Sequence, residues 1–459
     1  MIKKVCVVGS GVLGCYLTKK LLDEGFEVHL FDVGNKKVLN EEEIGFKSSS
    51  NFEYNGAREG RYFGLGGTSE KWGGQILLFD KKDFKNPNKF LSEIISLNEL
   101  YSDRVYEKLN LVKKSSKPLQ STLGHEKTGY WLHPNNRNLF KFFKLKNHKN
   151  LKLYTNHLLS KINYDKGKIE SLIFIRDKKK IIIRNYLKYF IAVGAFEHAK
   201  IYMDTFNIKK LNFNDHYSLP IAKIKSNGKL LNHNLLFEIN KDLSFITNRL
   251  VGEINNDSYF LNPIYNSNFS FFQFVKEFIF KKNFNFKLFL KSFLEIPDTF
   301  KFMFNSVFLK KFHVFKDEWI LQLDFEDNSI SNTFLQLDNK QLDKFEKPSL
   351  NIYKTNIKND SKKDSLLINE ILKKIKDLID KNEIDGELLL NNPSMCKTED
   401  TYHPYNILSD YKTLNEYLNE FENALIISTA ILPRVGGLNP TATLFPIIEK
   451  YIDEINLQK

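Results

Sequence analysis

Apolar and polar positions near the start of the chain follow a strand–turn–helix–strand order. The apolar run Val5-Cys6-Val7-Val8 meets a glycine-spaced turn at Gly9-Ser10-Gly11, and residues 16–24 are amphipathic. A second apolar run, residues 27–31, ends at Asp32. This order of apolar runs and helical periodicity predicts a βαβ unit.

The glycines of this unit have separate physical roles. Gly9 permits the tight turn, Gly11 lets the backbone approach a pyrophosphate, and Gly14 lets the helix pack closely on the strand. Backbone N–H groups at the helix start then face the phosphate, and the Asp32 carboxylate can accept hydrogen bonds from a ribose diol. The pattern predicts a dinucleotide site and does not separate FAD from NAD. An ordinary βαβ unit, in which the glycines serve only the turn, is the alternative.

The rest of the pattern predicts two kinds of sheet. Residues 150–195 alternate as strands do, and the apolar run 189–193 enters a small-residue turn, which indicates a return to the first sheet. Residues 216–385 mix short strands with Asn-rich loops and indicate an antiparallel substrate domain. We therefore predict an α/β fold, with a Rossmann-like domain that is discontinuous in sequence and a second domain of antiparallel sheet plus helices. The predicted boundaries are 1–80, 150–215 and 386–459 for the first domain, and 81–149 and 216–385 for the second.

A second glycine-dense segment follows a polar stretch. Residues 35–60 are rich in Ser, Asn and Glu and predict a loop. Residues 61–75 then hold five glycines beside Trp72. Such a backbone suits neither a regular helix nor a strand. It favours a chain that wraps closely around a flat ligand, and a long surface loop is the alternative.

The C-terminal part predicts a buried strand, a turn and a helix. Residues 424–430 are an apolar run, and the residues that follow Thr443 have the apolar period of a helix. Asn439 stands where an N-cap belongs, and Pro440 where the first helical residue belongs. A helix that starts there directs its N–H groups and its positive dipole end at whatever lies in front. A plain capped terminal helix is the alternative.

Residues 269–315 have a strong local bias, with sixteen phenylalanines and eight lysines. We predict amphipathic helical hairpins there. One interpretation is a helical cap that packs on the core or roofs the active site. The other is a patch that lies on a membrane surface. Residues 361–382 predict a further amphipathic helix with a charged, solvated face.

Composition narrows the class of protein. The 459 residues suffice for two or three domains, and no apolar run approaches the length of a transmembrane helix. The net charge of +13 accompanies abundant Lys, Asn, Ile and Phe, which favours an AT-rich genome over nucleic-acid binding. Cys6, Cys15 and Cys396 lack metal-ligand spacing and suit a reducing compartment. We expect a cytoplasmic protein without a metal site and without a nucleic-acid partner, either free or peripheral at the inner face of the membrane.

Four segments of the chain resemble the glucose–methanol–choline oxidoreductases, a family of FAD-dependent enzymes. They are residues 9–32, residues 66–74, the turn Val193-Gly194-Ala195 with Asn214-Asp215-His216 after it, and residues 439–443. In order, they span nearly the whole chain. The Trp-Gly-Gly form of the second segment is similar to that of the sugar-oxidising members.

The resemblance implies FAD as the cofactor, with Leu159 beside its adenine. Because no His lies in residues 64–75, we expect the FAD to be bound without a covalent link through this loop. The resemblance assigns cofactor binding to Gly9, Gly11, Val12, Leu13, Gly14, Asp32, Gly66, Gly67, Thr68, Trp72, Gly73, Gly74, Leu159, Gly194, Ala195, Pro440 and Thr441.

The same resemblance implies that His403 and Asn439 flank the reactive edge of the flavin. His403 would accept the hydroxyl proton of a sugar, polyol or other alcohol while hydride passes to flavin N5, and Asn439 would position the same oxygen. A structural His403 is the alternative, and His216 is expected to satisfy a hydrogen bond at the domain junction. The electron acceptor is not indicated by the sequence.

Two other functions stay open at this point. One is a flavin-binding protein that is catalytically altered, or a membrane-associated component of a complex. The other is an NAD(P)-linked dehydrogenase, which would require the second glycine segment and the Asn439-Pro440-Thr441 run to be coincidental.

Overall fold

A computed structural model describes most of the chain. The described residues are 3–113, 120–225, 229–230, 233–234, 237–239, 245–265, 270–271, 273–274, 277, 284–309, 318–326, 332–355, 361–390, 399–400 and 402–457. The prediction for Cys396, and part of that for residues 269–315, lie outside them. Cys6 and Cys15 are buried free thiols.

A five-stranded parallel sheet forms the first layer. Strand Lys4–Val8 pairs along its length with Glu27–Phe31, and helix Val12–Asp23 connects the two, as the sequence predicts. Buried apolar residues fill both strands, as a sheet covered on both faces requires. The predicted return is also confirmed, because Tyr189–Ile191 pairs with Lys4–Val8. In spatial order the strands are Ala424–Ile426, Tyr189–Ile191, Lys4–Val8, Glu27–Phe31 and Leu151–Tyr154.

Mostly antiparallel sheets make up the rest of the strand structure. The largest sheet has ten strands. Seven of them are neighbours in the order Gly386–Leu388, His216–Lys225, Glu318–Glu326, Asp257–Tyr265, Phe245–Ile254, Gly124–Trp131 and Gln75–Ile76. The other three each pair with one of these seven strands; they are Phe237–Ile239, Glu399–Asp400 and Gln120–Ser121. A second sheet holds Leu211–Asn212, Thr333–Leu342, Pro348–Lys354 and Ser48–Ser50. Two smaller sheets hold Lys179–Ile183, Lys168–Arg176 and Leu158–Asp165, and Lys229–Leu230 and His233–Asn234. The combination of one parallel sheet with antiparallel sheets confirms the predicted α/β fold class.

Helices cover these sheets, and their core contacts join the two ends of the chain. Helix Val12–Asp23 packs against Phe445–Leu457, where the rings of Tyr16 and Phe445 stack at a centroid distance of 4.1 Å. The α-helices that lie entirely within the described ranges are Val12–Asp23, Glu41–Ile44, Gly56–Glu59, Lys89–Lys108, Leu139–Phe142, Ala195–Phe206, Phe286–Leu294, Ile296–Val307, Ser361–Asp380, Leu414–Leu418 and Phe445–Leu457. The 3₁₀ turns are Gly67–Glu70, Pro134–Asn136, Leu145–Asn147, Thr429–Ile431 and Thr441–Leu444.

Two local predictions need correction. Residues 35–60 are more than a loop, since they contain two four-residue helices and the strand Ser48–Ser50. The last helical segment starts one residue later than predicted: Pro440 is the N-cap of a 3₁₀ turn, and the α-helix proper begins at Phe445. Asn439 is not the cap of this segment, and its side-chain amide donates to Gln75. The division into two domains at the stated boundaries stays a prediction.

Candidate active site

A cavity of about 450 Å³ opens at the carboxyl ends of the parallel strands. Val8, Asp32 and Ala192, at or just beyond the ends of three neighbouring strands, line it. This edge is where ligands bind in open parallel sheets. The volume falls in the range of about 300–1,000 Å³ that is usual for small-molecule sites.

Most of the residues that the sequence assigns to the site meet at this cavity, although they come from four distant parts of the chain. Those that line it are Gly9, Gly11, Val12, Leu13, Asp32, Gly67, Thr68, Trp72, Gly73, Gly74, Leu159, Gly194, Ala195, His403, Asn439 and Thr441. Gly14, Gly66 and Pro440 are not among the lining residues. Each of these three residues is next to a lining residue in the sequence, so it affects the backbone conformation at the cavity wall.

The glycines of the first turn differ in what surrounds them. Gly9 has φ +93°, and a Cβ there would lie 2.3 Å from the carbonyl oxygen of Ala192. A Cβ on Gly14 would lie 1.8 Å from the carbonyl oxygen of Gly9. A Cβ on Gly11 would meet nothing within 4 Å. The outer two glycines are thus needed for packing, whereas Gly11 keeps open the space in front of the helix.

The start of helix Val12–Asp23 suits an anion. Its first N–H groups have no partner within the helix, and no acidic residue stands in its first turn to offset the dipole. Helix Ala195–Phe206 also begins at the cavity, at Gly194, whose φ of +92° needs glycine. Two helix starts therefore face the same space.

The Asp32 carboxylate is largely occupied by protein donors. Its Oδ2 accepts from the Ser10 backbone N–H (2.8 Å) and from the Ser10 hydroxyl (2.7 Å), and its Oδ1 accepts from the Gly34 N–H (2.8 Å). A carboxylate has about four acceptor positions. Asp32 thus has room for one ligand hydroxyl, and it also fixes the glycine turn through Ser10.

The loop that carries His403 is held on both sides. The Asp215 carboxylate accepts the backbone N–H of His403 (2.9 Å) and that of His216 (2.8 Å). Asn214 and Tyr405 exchange two backbone hydrogen bonds, and the Thr429 hydroxyl donates to the carbonyl of Pro404 (2.7 Å). The loop therefore has a fixed position at the cavity wall.

A chain of hydrogen bonds sets the tautomer of His403. Nδ1 of His216 lies 3.2 Å from the Gly436 carbonyl, which can only accept, so this nitrogen carries the proton. Nε2 of neutral His216 is then the acceptor for Nδ1–H of His403, at 2.8 Å. The proton of neutral His403 is thereby placed on Nδ1, and its Nε2 keeps a lone pair. His403 lines the cavity, whereas His216 does not.

Burial keeps both imidazoles neutral. It lowers the pKa of His403 from 6.5 to about 4. Burial, followed by the nearby His403, also lowers the pKa of His216 well below its ordinary value. At neutral pH, His403, a residue of the cavity wall, therefore carries an unprotonated ring nitrogen.

Hydrogen bonds also orient Asn439 and Trp72, which are two further residues of the cavity wall. Nδ2 of Asn439 donates to Oε1 of Gln75 (2.8 Å), and the Trp72 indole donates to the Arg137 carbonyl (2.9 Å). Nε2 of Gln75 is buried and has no hydrogen-bond partner among the described residues. A buried amide donor is therefore left over in a residue that lines the cavity.

The sequence assigned no role to Ser10 and Gln75, and for His216 it predicted only a hydrogen bond at the domain junction. Ser10 and Gln75 line the cavity, and His216 contacts His403 directly. Only His216 had a visible signal, the Asn-Asp-His run at 214–216. It forms hydrogen bonds with His403 and Gly436, so it holds the ring of the candidate catalytic residue in place.

A separate cluster of ionisable groups lies outside the cavity. Asp80, Asp83 and His125 bring their ligand atoms within 4.8 Å of one another. The ammonium of Lys127 lies 2.9 Å from Asp80 and 2.5 Å from Asp83. The charge of these two carboxylates is thus offset in part by a lysine.

Comparisons with known proteins identify the fold. No protein-family model and no curated protein sequence matches this chain. Among solved structures, pyridoxine 4-oxidase from Mesorbium loti is similar over 99% of both chains, with a TM-score of 0.60 and 10% identity. An FAD-dependent oxidoreductase from Chaetomium thermophilum is similar over 99% of both chains, with a TM-score of 0.55 and 11% identity.

A further similar structure is a formate oxidase variant from Aspergillus oryzae RIB40. It covers 99% of this chain and 98% of its own, with a TM-score of 0.55 and 10% identity. This protein therefore has, along its whole length, the fold that these oxidases and oxidoreductases share.

Proposed function

We propose that this protein is an FAD-dependent oxidoreductase that oxidises a hydroxyl group of a sugar, a polyol or another alcohol. The observation that carries the proposal is the meeting of the dinucleotide turn, the Trp72 segment and the pair His403 and Asn439 at a single cavity. The names of the similar structures, two oxidases and an FAD-dependent oxidoreductase, support the same class.

The residues at the sheet edge fit a dinucleotide. The start of helix Val12–Asp23 would receive the pyrophosphate, for which the open space at Gly11 leaves room. Asp32 would accept one ribose hydroxyl through its remaining acceptor position. Leu159, buried and part of the cavity wall, would lie against the adenine.

The opposite part of the cavity fits a flat ring with polar edges. Trp72, Gly73 and Gly74 would lie along it, and Gln75 holds a buried amide donor without a partner in the described part of the chain. Thr441 lies at the start of the last helical segment, where the dipole favours negative charge. These features suit the polar edge of an isoalloxazine.

The reaction needs a hydride acceptor and a base. The isoalloxazine of FAD supplies the acceptor when it is bound. His403 takes the hydroxyl proton at Nε2, the nitrogen that the His216 hydrogen bond leaves unprotonated. Asn439 holds the substrate oxygen, and its own amide is fixed by Gln75.

The purified protein tests this function directly. We expect a yellow protein whose visible spectrum is that of oxidised flavin and whose acid-released cofactor is FAD. When the protein is precipitated with acid, the yellow colour should stay in the supernatant, because we propose that the FAD is bound non-covalently. A colourless protein that binds NADH would instead support a nicotinamide-dependent dehydrogenase.

A substrate panel under anaerobic conditions then tests the reaction. Sugars, polyols and simple alcohols should be included, together with pyridoxine and formate, which the names of similar structures mention. Bleaching by a hydroxylated compound supports the proposal, and reoxidation by oxygen, a quinone or a dye would identify the acceptor. A yellow protein that no compound with a hydroxyl group bleaches would overturn the proposed oxidation.

A further inference from the structure

Two helices place an unusual amount of apolar surface in contact with solvent. We call Phe286–Leu294 and Ile296–Val307, with the flanking residues 284–285, 295 and 308–309, the exposed helix pair. Among the described residues, eighteen large hydrophobic side chains are exposed, and ten of them lie in this pair. They are Phe284, Phe286, Leu290, Phe293, Leu294, Ile296, Phe300, Phe304, Phe308 and Leu309.

These side chains follow the helical period instead of being scattered. In the first helix, Phe286, Leu290, Phe293 and Leu294 lie on one stripe, and Ser292 is the buried position. In the second helix, Ile296, Phe300 and Phe304 recur every four residues and are likewise exposed. In an ordinary surface helix such a stripe faces the core. Here it faces outward.

Lysines accompany the stripe. Lys287, Lys291 and Lys301 each follow a stripe residue by one position, which places them about 100° around the helix from it. In that position a lysine stem can lie along apolar surface while its ammonium reaches the polar boundary. Over residues 269–315, eight lysines stand against three carboxylates, a formal charge of +5.

The position of the pair argues against a cap over the active site. None of the described residues that line the cavity belongs to the exposed helix pair. The apolar stripe is therefore not explained by the proposed substrate pocket.

The composition argues for lipid over a protein partner. Interface cores between proteins are enriched in Tyr, Trp, Phe, Met and Arg and depleted in Lys, so the basic residues distinguish the two kinds of surface and the phenylalanines do not. Residues 269–315 contain no Trp, Tyr or Arg and eight Lys. Phe and Leu on one face with Lys beside them is the pattern of helices that lie in the headgroup region of anionic bilayers.

We propose that the exposed helix pair docks this protein on the surface of an anionic membrane. Its phenylalanines and leucines enter the headgroup and acyl boundary, and its lysines contact lipid phosphates. Within the described residues, no helix combines the length and apolar character needed to cross a bilayer, so the contact is peripheral.

Vesicle flotation with the full-length protein tests this. We expect binding to vesicles of phosphatidylcholine with about 30% phosphatidylglycerol, and much weaker binding to phosphatidylcholine alone or at high salt. The triple variant Leu290→Ser, Phe293→Ser, Phe300→Ser should bind at least about ten-fold more weakly, because three side chains no longer insert. Lys287→Gln with Lys291→Gln and Lys301→Gln should remove the preference for anionic lipid.

A matched control keeps the number of lost apolar side chains equal. Val112, Ile182 and Leu366 are 82%, 52% and 60% exposed and lie outside the pair. Their replacement by Ser should leave vesicle binding unchanged. Circular dichroism and the visible spectrum should match the wild type in every variant, since all these positions are exposed.

Two outcomes would overturn the proposal. One is a wild-type protein that floats with none of these vesicles. The other is a protein that self-associates in solution, loses this association in the Leu290, Phe293 and Phe300 variant, and leaves vesicle binding unaffected. In that case the stripe is an interface between two copies. Neither result bears on flavin content or alcohol oxidation, so the docking surface and the proposed function fail separately.

Discussion

The neutral state of His403 is decided by its surroundings within a few ångströms. Its Nδ1–H is committed to His216, and its burial disfavours the imidazolium form. In the proposed reaction, His403 would be unprotonated at neutral pH and would accept a proton as negative charge develops beside it. Proton removal would then be linked to hydride transfer at the same substrate.

The pH dependence of activity should report this environment. Since burial lowers the pKa of His403 to about 4, the base stays unprotonated well below neutrality. We expect kcat/KM to be flat from about pH 8 to pH 5 and to fall near pH 4. His403→Asn should lower kcat by about 10²- to 10⁴-fold while FAD content is retained. An inflection near 6.5 would instead indicate a solvated histidine.

His216 should act as a positioning residue. His216→Phe removes the acceptor for Nδ1–H of His403, so the ring loses its fixed tautomer, and kcat should fall by about 10- to 100-fold with little change in KM. ¹⁵N chemical shifts of His403 should show a mixture of tautomers in the variant. His216→Gln, whose side chain retains an acceptor, should recover part of the rate.

A buried histidine elsewhere provides the control for this variant. His29 is buried, bonds to Tyr186 and Glu27, and does not line the cavity. His29→Phe should leave kcat and the ¹⁵N shifts of His403 unchanged. Equal effects of the two substitutions would mean that His216 acts only on stability.

Two glycines of the first turn should respond oppositely to alanine. At Gly11, a Cβ meets nothing within 4 Å, so Gly11→Ala should change the free energy of unfolding by less than about 1 kcal/mol. It should weaken FAD binding at least about ten-fold, because the methyl group occupies the proposed phosphate position. At Gly14, the 1.8 Å approach to Gly9 predicts a loss of about 1–3 kcal/mol. Denaturant melts and FAD titration measure both, and equal FAD affinity in Gly11→Ala and the wild type would contradict the proposed site.

The sequence predicted the roles of residues whose partners lie close by in the chain, and it did not predict contacts between residues that are far apart in the chain. The roles of Gly9 and Gly14 follow from a turn whose parts lie within a few residues, and the structure places them accordingly. The contact between His216 and His403 joins residues 187 positions apart, and the Gln75–Asn439 contact joins residues 364 apart. No local period encodes such pairs, so they became visible only with the fold.

At the level of elements, the first helix and the last are joined by a buried ion cluster. Lys20 in Val12–Asp23 lies 3.2 Å from Glu449 and 2.8 Å from Asp453, both in Phe445–Leu457. The Tyr16 hydroxyl donates to Glu449 as well (2.8 Å). Because Glu449 is almost fully buried, this cluster ties the proposed cofactor helix to the end of the chain.

Removing the lysine should be costly. Lys20→Met leaves Glu449 buried without its main cation, and we expect a loss of about 3–5 kcal/mol in the free energy of unfolding. The matched control is Lys450→Met. Lys450 lies in Phe445–Leu457, as Glu449 does, and its exposed ion pair with Glu454 should contribute less than about 1 kcal/mol. Urea denaturation of the two variants makes the comparison. Similar losses in the free energy of unfolding of the two variants would show that the buried position of Glu449 does not make the fold more dependent on Lys20.

Long, periodic elements were predictable and short ones were not. The strands of residues 150–195 and the helix Ser361–Asp380 have clear periods and lie where the sequence predicts. The strand Ser48–Ser50 is three serines with no apolar alternation, and it exists because it pairs with Pro348–Lys354. The 3₁₀ turn Thr441–Leu444 escaped prediction because such turns are frequent at helix ends and its short sequence has no period that separates it from the first turn of the helix that follows.

At the level of the whole molecule, the proposed cofactor would contact segments that are far apart in sequence. FAD should therefore stabilise the complete fold, and by mass action about 2.7 kcal/mol is expected at a free concentration of 100 times Kd. The melting temperature of flavin-depleted protein should rise with added FAD. Riboflavin, which lacks the adenine and phosphates, should have a much smaller effect at the same concentration. Equal shifts with the two compounds would contradict a dinucleotide site at the glycine turn.

The strand Ala424–Ile426 completes one edge of the parallel sheet, beside Tyr189–Ile191. While the chain emerges from the ribosome, the backbone groups of Tyr189–Ile191 on that side lack this neighbour until residues 424–426 have been made. His403 and Asn439 also arrive late, so a nascent chain would hold half of a cofactor cradle and an unpaired strand. Newly made protein should thus depend on chaperones, and on the supply of the proposed flavin, more than its final stability would suggest.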